Sequence, residues 1–205
     1  EPGMFAALYI KDVPNGAKVL EGPVPDWRKF GMPNYGTGGS MGSILGLPRF
    51  DTAEFEARFP FGKVSLTDKE MPVRVTVLGW SPFIPGDPDN SSLPVGGLEY
   101  VLENTSTKPQ EMIFSYHARN FLSWGKGVDA IKVMPHGFVL SQAGTEAEPH
   151  LQGDFAIFTD EDSPKINYCW FRGGWFDSLT MVWNAIESGL MPQSPAVEKG
   201  APGAD

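Results

Sequence analysis

The sequence predicts an all-β protein, a large antiparallel β-sandwich with one short helix near its C-terminal end and sheet edges expected to be incomplete. Three observations carry this. Apolar residues alternate with a period of two wherever a period can be read, which is the mark of half-buried strands. The 205 residues include 24 Gly, 19 Pro, 14 Phe and 6 Trp, a mixture suited to many short strands joined by tight turns. Strand candidates also follow one another without intervening helices, which favours sheet packed on sheet over a βαβ architecture.

In chain order, Met4 to Ile10 and Ala17 to Leu20 are the first strand candidates. Phe55, Ala57, Phe59 and Phe61 are then spaced by two, as are Val73, Val75 and Val77. The clearest hairpin runs from Gly97 to Arg119. Leu98, Tyr100 and Leu102 share one face, Asn104 to Pro109 form a polar turn, and Met112, Phe114 and Tyr116 follow. Ile131 to Val133, Phe138 to Ser141, Asp154 to Thr159 and Asn167 to Phe171 complete the strand candidates, separated by Gly, Pro, Asn and Asp clusters. Leu179, Val182, Trp183 and Ile186 stand at i, i+3, i+4 and i+7, with Asp177 or Ser178 as N-cap and Gly189 just past the end, so this segment is a short amphipathic helix. Its apolar stripe needs a surface that the following Pro/Gly-rich segment does not supply. Residues 1–190 are therefore expected to form one sandwich whose edges look unfinished, and residues 191–205 a loop or linker.

Net charge is −9, so no phosphate backbone or anionic surface is favoured and nucleic acid is excluded as a partner. The single cysteine, Cys169, excludes an intramolecular disulfide framework and is read as a buried small hydrophobe. No run approaches the length of about 18 apolar residues that a membrane span requires. A soluble protein is expected. The opening Glu1-Pro2-Gly3 has no basic n-region, and cytoplasmic and secreted origins both stay open.

Gly38-Gly39-Ser40-Met41-Gly42 has the letters of a nucleophile elbow, but Met32-Pro33-Asn34 before it and Pro48 after it deny it the incoming strand and outgoing helix. Without a following Lys-Ser or Lys-Thr it is not a phosphate loop either. The run from Pro82 to Pro94 gathers acceptor oxygens on Asp87, Asp89 and Asn90. It lacks the glycine and distal glutamate of a helical calcium loop, so these side chains are expected to satisfy their own loop or meet a partner surface, with no metal. His117, His136 and His150 form no zinc spacing, and His117 with Arg119 is expected to satisfy neighbouring groups at a strand end. The aromatic run from Tyr168 to Phe176 offers Trp170, Arg172 and Trp175 as a sugar-stacking platform or as core and interface. Asn90-Ser91-Ser92 and Asn104-Thr105-Ser106 fit the glycosylation acceptor pattern, which matters only in a secreting eukaryote.

Arg58-Phe59-Pro60-Phe61-Gly62, Pro72-Val73 with its valine alternation, Trp80-Ser81-Pro82-Phe83-Ile84-Pro85-Gly86-Asp87 through Asn90 to Val95, and Glu99-Tyr100 to Ser106 form an ordered series. The series resembles the N-terminal domain of glycoside hydrolase family 116, which includes β-glucosidases and the non-lysosomal glucosylceramidase. It is strongest from about Phe55 to Asn120 and continues through Trp175 to Leu179 and Trp183-Asn184. The resemblance implies a β-sandwich packed against a C-terminal (α/α)₆ barrel that hydrolyses β-glucosides with retention through two carboxyl groups about 5–5.5 Å apart. Both of those groups lie in the barrel, so no catalytic residue carries over to this chain. Asp87, Asp89, Asn90, Trp170, Arg172 and Trp175 are the expected interface or sugar-contact residues, with no metal and no cofactor. The expected partner is the catalytic domain of the same parent, through which alone the chain would meet a β-glucoside. An independent carbohydrate-binding module is the alternative, and a self-sufficient hydrolase using Ser40, a histidine and an acid is the third reading.

Overall fold

The computed structural model describes residues 3–26, 44–123, 129–171 and 177–196. Among these, ten strands are β1 (Met4–Ile10), β2 (Ala17–Val19), β3 (Thr52–Arg58), β4 (Phe61–Thr67), β5 (Val73–Trp80), β6 (Gly97–Asn104), β7 (Met112–Ala118), β8 (Asp129–Met134), β9 (Gly137–Gln142) and β10 (Gly153–Phe158). The helices within the described residues include the four-residue α1 (Pro88–Ser91) and the ten-residue α2 (Ser178–Glu187). The strands make three antiparallel sheets ordered β2-β1-β7, β3-β4-β5-β6 and β10-β9-β8, the all-β, sandwich-like class with one short helix that the alternation predicts. The chain divides into two compact units. One comprises Glu1–Phe5, Pro33–Gly46 and Ser115–Asp205, and the other Ala6–Met32 and Leu47–Phe114.

In the second unit the valine alternation behaves as expected at its start, with Val73, Val75 and the cross-strand Leu66 buried. The Phe55 to Phe61 run does not form one half-buried strand. Arg58 pairs with Phe61, so Phe59-Pro60 is the turn of the β3–β4 hairpin, and every residue of β3 is exposed. Pro60 has no amide proton to continue a ladder, and the period of two ran through a reversal of the chain.

The hairpin expected from Gly97 to Arg119 is not formed. β6 pairs along its length with β5, while β7 joins the sheet containing β1. The polar turn forms as expected: Asn104 Nδ2 donates to Lys108 O at 2.7 Å, Ser106 N donates to Asn104 Oδ1 at 2.9 Å, and Gln110 Nε2 donates to Ser106 Oγ at 3.0 Å. What it joins is an arch, in which Tyr100 and Phe114 meet ring to ring at 4.8 Å while their backbones pair elsewhere. A turn this long does not dictate pairing of its flanks as a two-residue loop does.

One buried and one partly buried ion pair tie this unit. Lys18 Nζ meets Asp68 Oδ2 at 2.5 Å with both side chains buried, and Asp68 also accepts from the amides of Asp51, Glu70 and Met71. Arg49 Nη1 binds Glu21 Oε2.

In the first unit Ala118, Ile131 and Leu140 form a core, with Met4, Phe121, Leu122, Phe138, Ile157 and Tyr168 packed against it. The helix α2 starts as its sequence dictates. Asp177 accepts from Leu179 N at 3.2 Å and from Thr180 Oγ1 at 3.0 Å. It ends in a Schellman motif, with Gly189 at φ +64°, its amide donating to Ile186 O, and Leu190 N donating to Ala185 O. Its stripe is not left open: Leu179, Val182, Trp183 and Ile186 are all buried. Asn167 to Phe171 is not a strand. It carries single bonds, Tyr168 N to Ser194 O and Ser194 N to Asn167 Oδ1, and Phe171 makes an isolated bridge. Cys169 is buried, its thiol donating to Phe171 O at 3.3 Å.

Candidate functional site

The sheet β3-β4-β5-β6 presents two chemically different faces. Opposite residues of an antiparallel pair point the same way, so the register assigns every side chain. On one face lie the rows Leu66, Val75, Leu102 and Phe55, Val64, Val77, Tyr100, followed by Ala57, Gly62, Gly79, Leu98. This Leu66 face grades from buried to open, reaching Phe55 at 72% and Leu98 at 56% exposure. At the open end a depression of about 370 Å³ has Gly62 and Gly79 as its floor and Phe55, Val64, Val77 and Leu98 around it, and Pro60, Trp80 and Ser81 also line it. The Phe55 ring is packed against Gly62 and the Leu98 methyl against Gly79. Its walls carry no charged side chain to orient a small ligand, which makes it a surface for apolar docking rather than a catalytic pocket.

The other face carries Glu54, Ser65, Thr76, Val101, then Glu56, Lys63, Leu78, Glu99, then Arg58, Phe61, Trp80, Gly97. Lys63 Nζ stands 3.9 Å from Glu56, and Arg74 Nη1 2.9 Å from Glu103. Beside the sheet, Phe59 and Phe83 meet edge to face at 4.7 Å, and Ile84, Leu93 and Val95 are exposed.

The proline-flanked loop is internally bonded. Asp87 caps α1, accepting from Asn90 N at 3.0 Å and from Asn90 Nδ2 at 2.5 Å, and these two bonds hold its carboxyl below the usual aspartate range. Ser91 Oγ donates to Asp87 O at 2.7 Å and accepts from Ile84 N at 2.9 Å, while Asp89 is exposed. Asp87 and Asn90 thus serve their own loop.

Trp170 is half-buried. It stands edge-on to Phe5 at 5.9 Å and to His117 at 6.3 Å, and the Arg119 guanidinium lies 5.3 Å over its ring. Arg119 also reaches Ser178 Oγ at 3.3 Å, with Asp177 at 4.0 Å. His117 stacks on Phe5 at 4.7 Å with 17° between the planes, and its Nε2 meets Ser115 Oγ at 2.9 Å. Desolvation lowers its pKa to about 4. His136 sits in the β8–β9 turn and His150 in a short 3₁₀ turn, so the three histidines do not converge. Arg172, Trp175 and the glycine segment with Ser40 lie outside the described residues. Among the described residues, no group of three His, Cys, Asp or Glu side chains is placed to hold a metal ion. Nor is any described helix long and apolar enough to cross a membrane.

Residues 4–203 match the family described as beta-glucosidase 2, glycosyl-hydrolase family 116 N-term. The chain belongs to this family of N-terminal domains. The match spans nearly every residue, including both compact units, and extends well past the Phe55 to Asn120 series that carries the resemblance most strongly. No curated protein matches the chain closely enough to count as a relative. Within a glycoside hydrolase family, the two faces of the four-stranded sheet become the surfaces of interest. Sequence reasoning did not single out Phe61, Trp80 or Leu98 as surface residues. The available signals were the glycines at 62, 79 and 97 inside strand patterns, since such glycines mark close approach of another group.

Proposed function

We propose that this chain is the non-catalytic N-terminal β-sandwich of a retaining β-glucosidase or glucosylceramidase-like enzyme, supporting a C-terminal (α/α)₆ catalytic barrel. The family match over residues 4–203 carries the reading. The carboxylates support its non-catalytic half. A retaining glycosidase needs a carboxylic acid with raised pKa facing a carboxylate nucleophile about 5–5.5 Å away. Here the resolved shifts of Asp68, Asp87 and Asp154 are all downward. At Asp68 burial pushes upward and is outweighed by the Lys18 bond and the backbone amides. Asp154 is held down by Ser141 and Lys132. Glu21, Glu103 and Glu111 are paired with Arg49, Arg74 and Lys11. The exposed apolar end of the Leu66 face supports the partner half, because a contiguous open patch carrying Phe55 and Leu98 is typical of a surface that another protein body covers.

The test is an assay of the purified chain with an aryl β-glucoside. No turnover above the protein-free rate is expected. Hydrolysis by the chain alone that disappears in Asp68→Asn or Asp87→Asn, with the fold intact by circular dichroism, would overturn the reading.

A further inference from the structure

We propose that the Trp80 face of the four-stranded sheet binds a β-linked glucose oligomer, with sugar rings stacked on Phe61 and Trp80 and hydroxyl groups bonded by the charged row beside them. The register puts Arg58, Phe61, Trp80 and Gly97 side by side across the four strands, and Glu56, Lys63, Leu78 and Glu99 in the next row of the same face. Adjacent strands are about 4.8 Å apart, so Phe61 and Trp80 are immediate cross-strand partners, with the indole turned onto Gly97 of the next strand. Both are open, Phe61 at 48% and Trp80 at 43% exposure. The indole lies down on the sheet: a Cβ placed on Gly97 would fall 2.4–2.5 Å from its Nε1, Cε2 and Cζ2 atoms. Glycine at 97 therefore lets the ring lie flat against the backbone, with its other side open.

Covering a strand glycine with an aromatic ring has its own stabilising value, which accounts for the indole alone. It does not account for a second open ring directly opposite, nor for the charged row beside the pair. A depression of about 200 Å³ on this face is lined by Glu56, Arg58, Phe61, Lys63 and Leu78, so a carboxylate, an ammonium and a guanidinium share it with Phe61. A β-linked glucose chain has the matching chemistry. Its equatorial substituents leave flat C–H faces that stack on aromatic rings, and its rim of hydroxyls needs both acceptors and donors, which Glu56 and Glu99 as acceptors and Lys63 and Arg58 as donors provide. A protein partner would have to desolvate charges of both signs around two rings, which is costly. The platform stands on geometry, while the choice of β-linked glucose rests on the glycosidase reading above.

The experiment titrates the purified chain with cellotetraose, maltotetraose and methyl β-glucoside, following the Trp80 indole N–H resonance and the heat of binding. Saturable binding of cellotetraose that shifts the Trp80 resonance is expected, with methyl β-glucoside and maltotetraose each about tenfold weaker or worse. Trp80→Ala and Phe61→Ala should each weaken cellotetraose binding by about tenfold or more, and Phe55→Ser on the opposite face should leave it unchanged. No saturable binding, equal affinity for maltotetraose, or full affinity in Trp80→Ala or Phe61→Ala would overturn the proposal. If the alanine variants fail to fold, the wild-type resonance decides alone: saturation by cellotetraose without movement of the Trp80 signal overturns it. Failure here leaves the accessory-domain reading standing, whereas turnover of the titrated sugar would overturn that reading and leave the platform.

Discussion

His117 offers a quantitative test of the packing in the first unit. Its ring is stacked on Phe5, edged by Trp170 and bonded to Ser115, with the Arg119 guanidinium over Trp170 as the nearby cation. Desolvation brings its pKa from 6.5 down to about 4 in the folded chain. The unfolded chain therefore binds the extra proton between these values. Stability from the neutral ring is full above pH 6.5 and is lost as pH falls towards 4. At about 1.4 kcal/mol per pH unit, the loss is roughly 2 kcal/mol at pH 5 and roughly 3 kcal/mol at pH 4. These are ceilings, because the residue is only half-buried and solvent reaches part of it. The perturbation is His117→Phe, which keeps a flat ring against Phe5 and removes the titration. Urea unfolding between pH 7.5 and 4 is the assay. The wild-type midpoint should fall steadily across this window, and the variant should lose most of that slope. Parallel pH dependence in the two proteins, or a His117 resonance titrating near 6.5 in the folded state, would refute the reasoning.

Asp68→Ala removes the hydrogen-bonded partner of the buried Lys18 ammonium and leaves it the exposed Glu70 carboxylate at 4.0 Å, and is expected to cost about 3 kcal/mol by urea unfolding, with the double variant Lys18→Met/Asp68→Leu clearly less destabilised. Because the Asp68 carboxyl is held below its ordinary pKa of 3.8, its contribution is full above that value and is lost only as pH falls through the lower folded pKa, beneath the histidine window. Asp177→Ala removes the cap of α2 and should cost about 1 kcal/mol, read from the thermal midpoint. Phe55→Ser should change stability by no more than about 0.5 kcal/mol, since the ring is already 72% exposed, whereas Val75→Ser in the buried part of the same face should be severely destabilising.

The sequence is most informative where one element decides its own fate. The boundaries of β1, the N-cap Asp177, the left-handed Gly189 and the polar turn at Asn104 all follow from local chemistry, and the structure places them as the residues dictate. Pairing does not follow in the same way. An alternating strand has one apolar face whichever neighbour it takes, so Leu98, Tyr100 and Leu102 are equally compatible with pairing to β7, as the turn suggested, or to β5, as the structure has it. The Lys18–Asp68 bond links residues fifty positions apart and leaves no local trace.

The same limit explains why the surfaces of the four-stranded sheet were missed. Period two tells which residues share a face, not whether that face is covered within the chain. Val75 and Phe55 stand on the same side of the sheet, yet one is fully buried and the other open. The aromatic platform is hidden for a further reason. Phe61 and Trp80 are nineteen positions apart and become neighbours only once the β4–β5 register is set, and Gly97 comes under the indole only through the β5–β6 register. The Trp170 run, whose aromatics are adjacent in sequence, reads equally as a platform or as core and interface; in the fold Trp170 is half-buried and engaged by Phe5, His117 and Arg119, while Trp175 lies outside the described residues. Stacking surfaces on sheets are built across strands, so strand register rather than aromatic density along the chain is what reveals them.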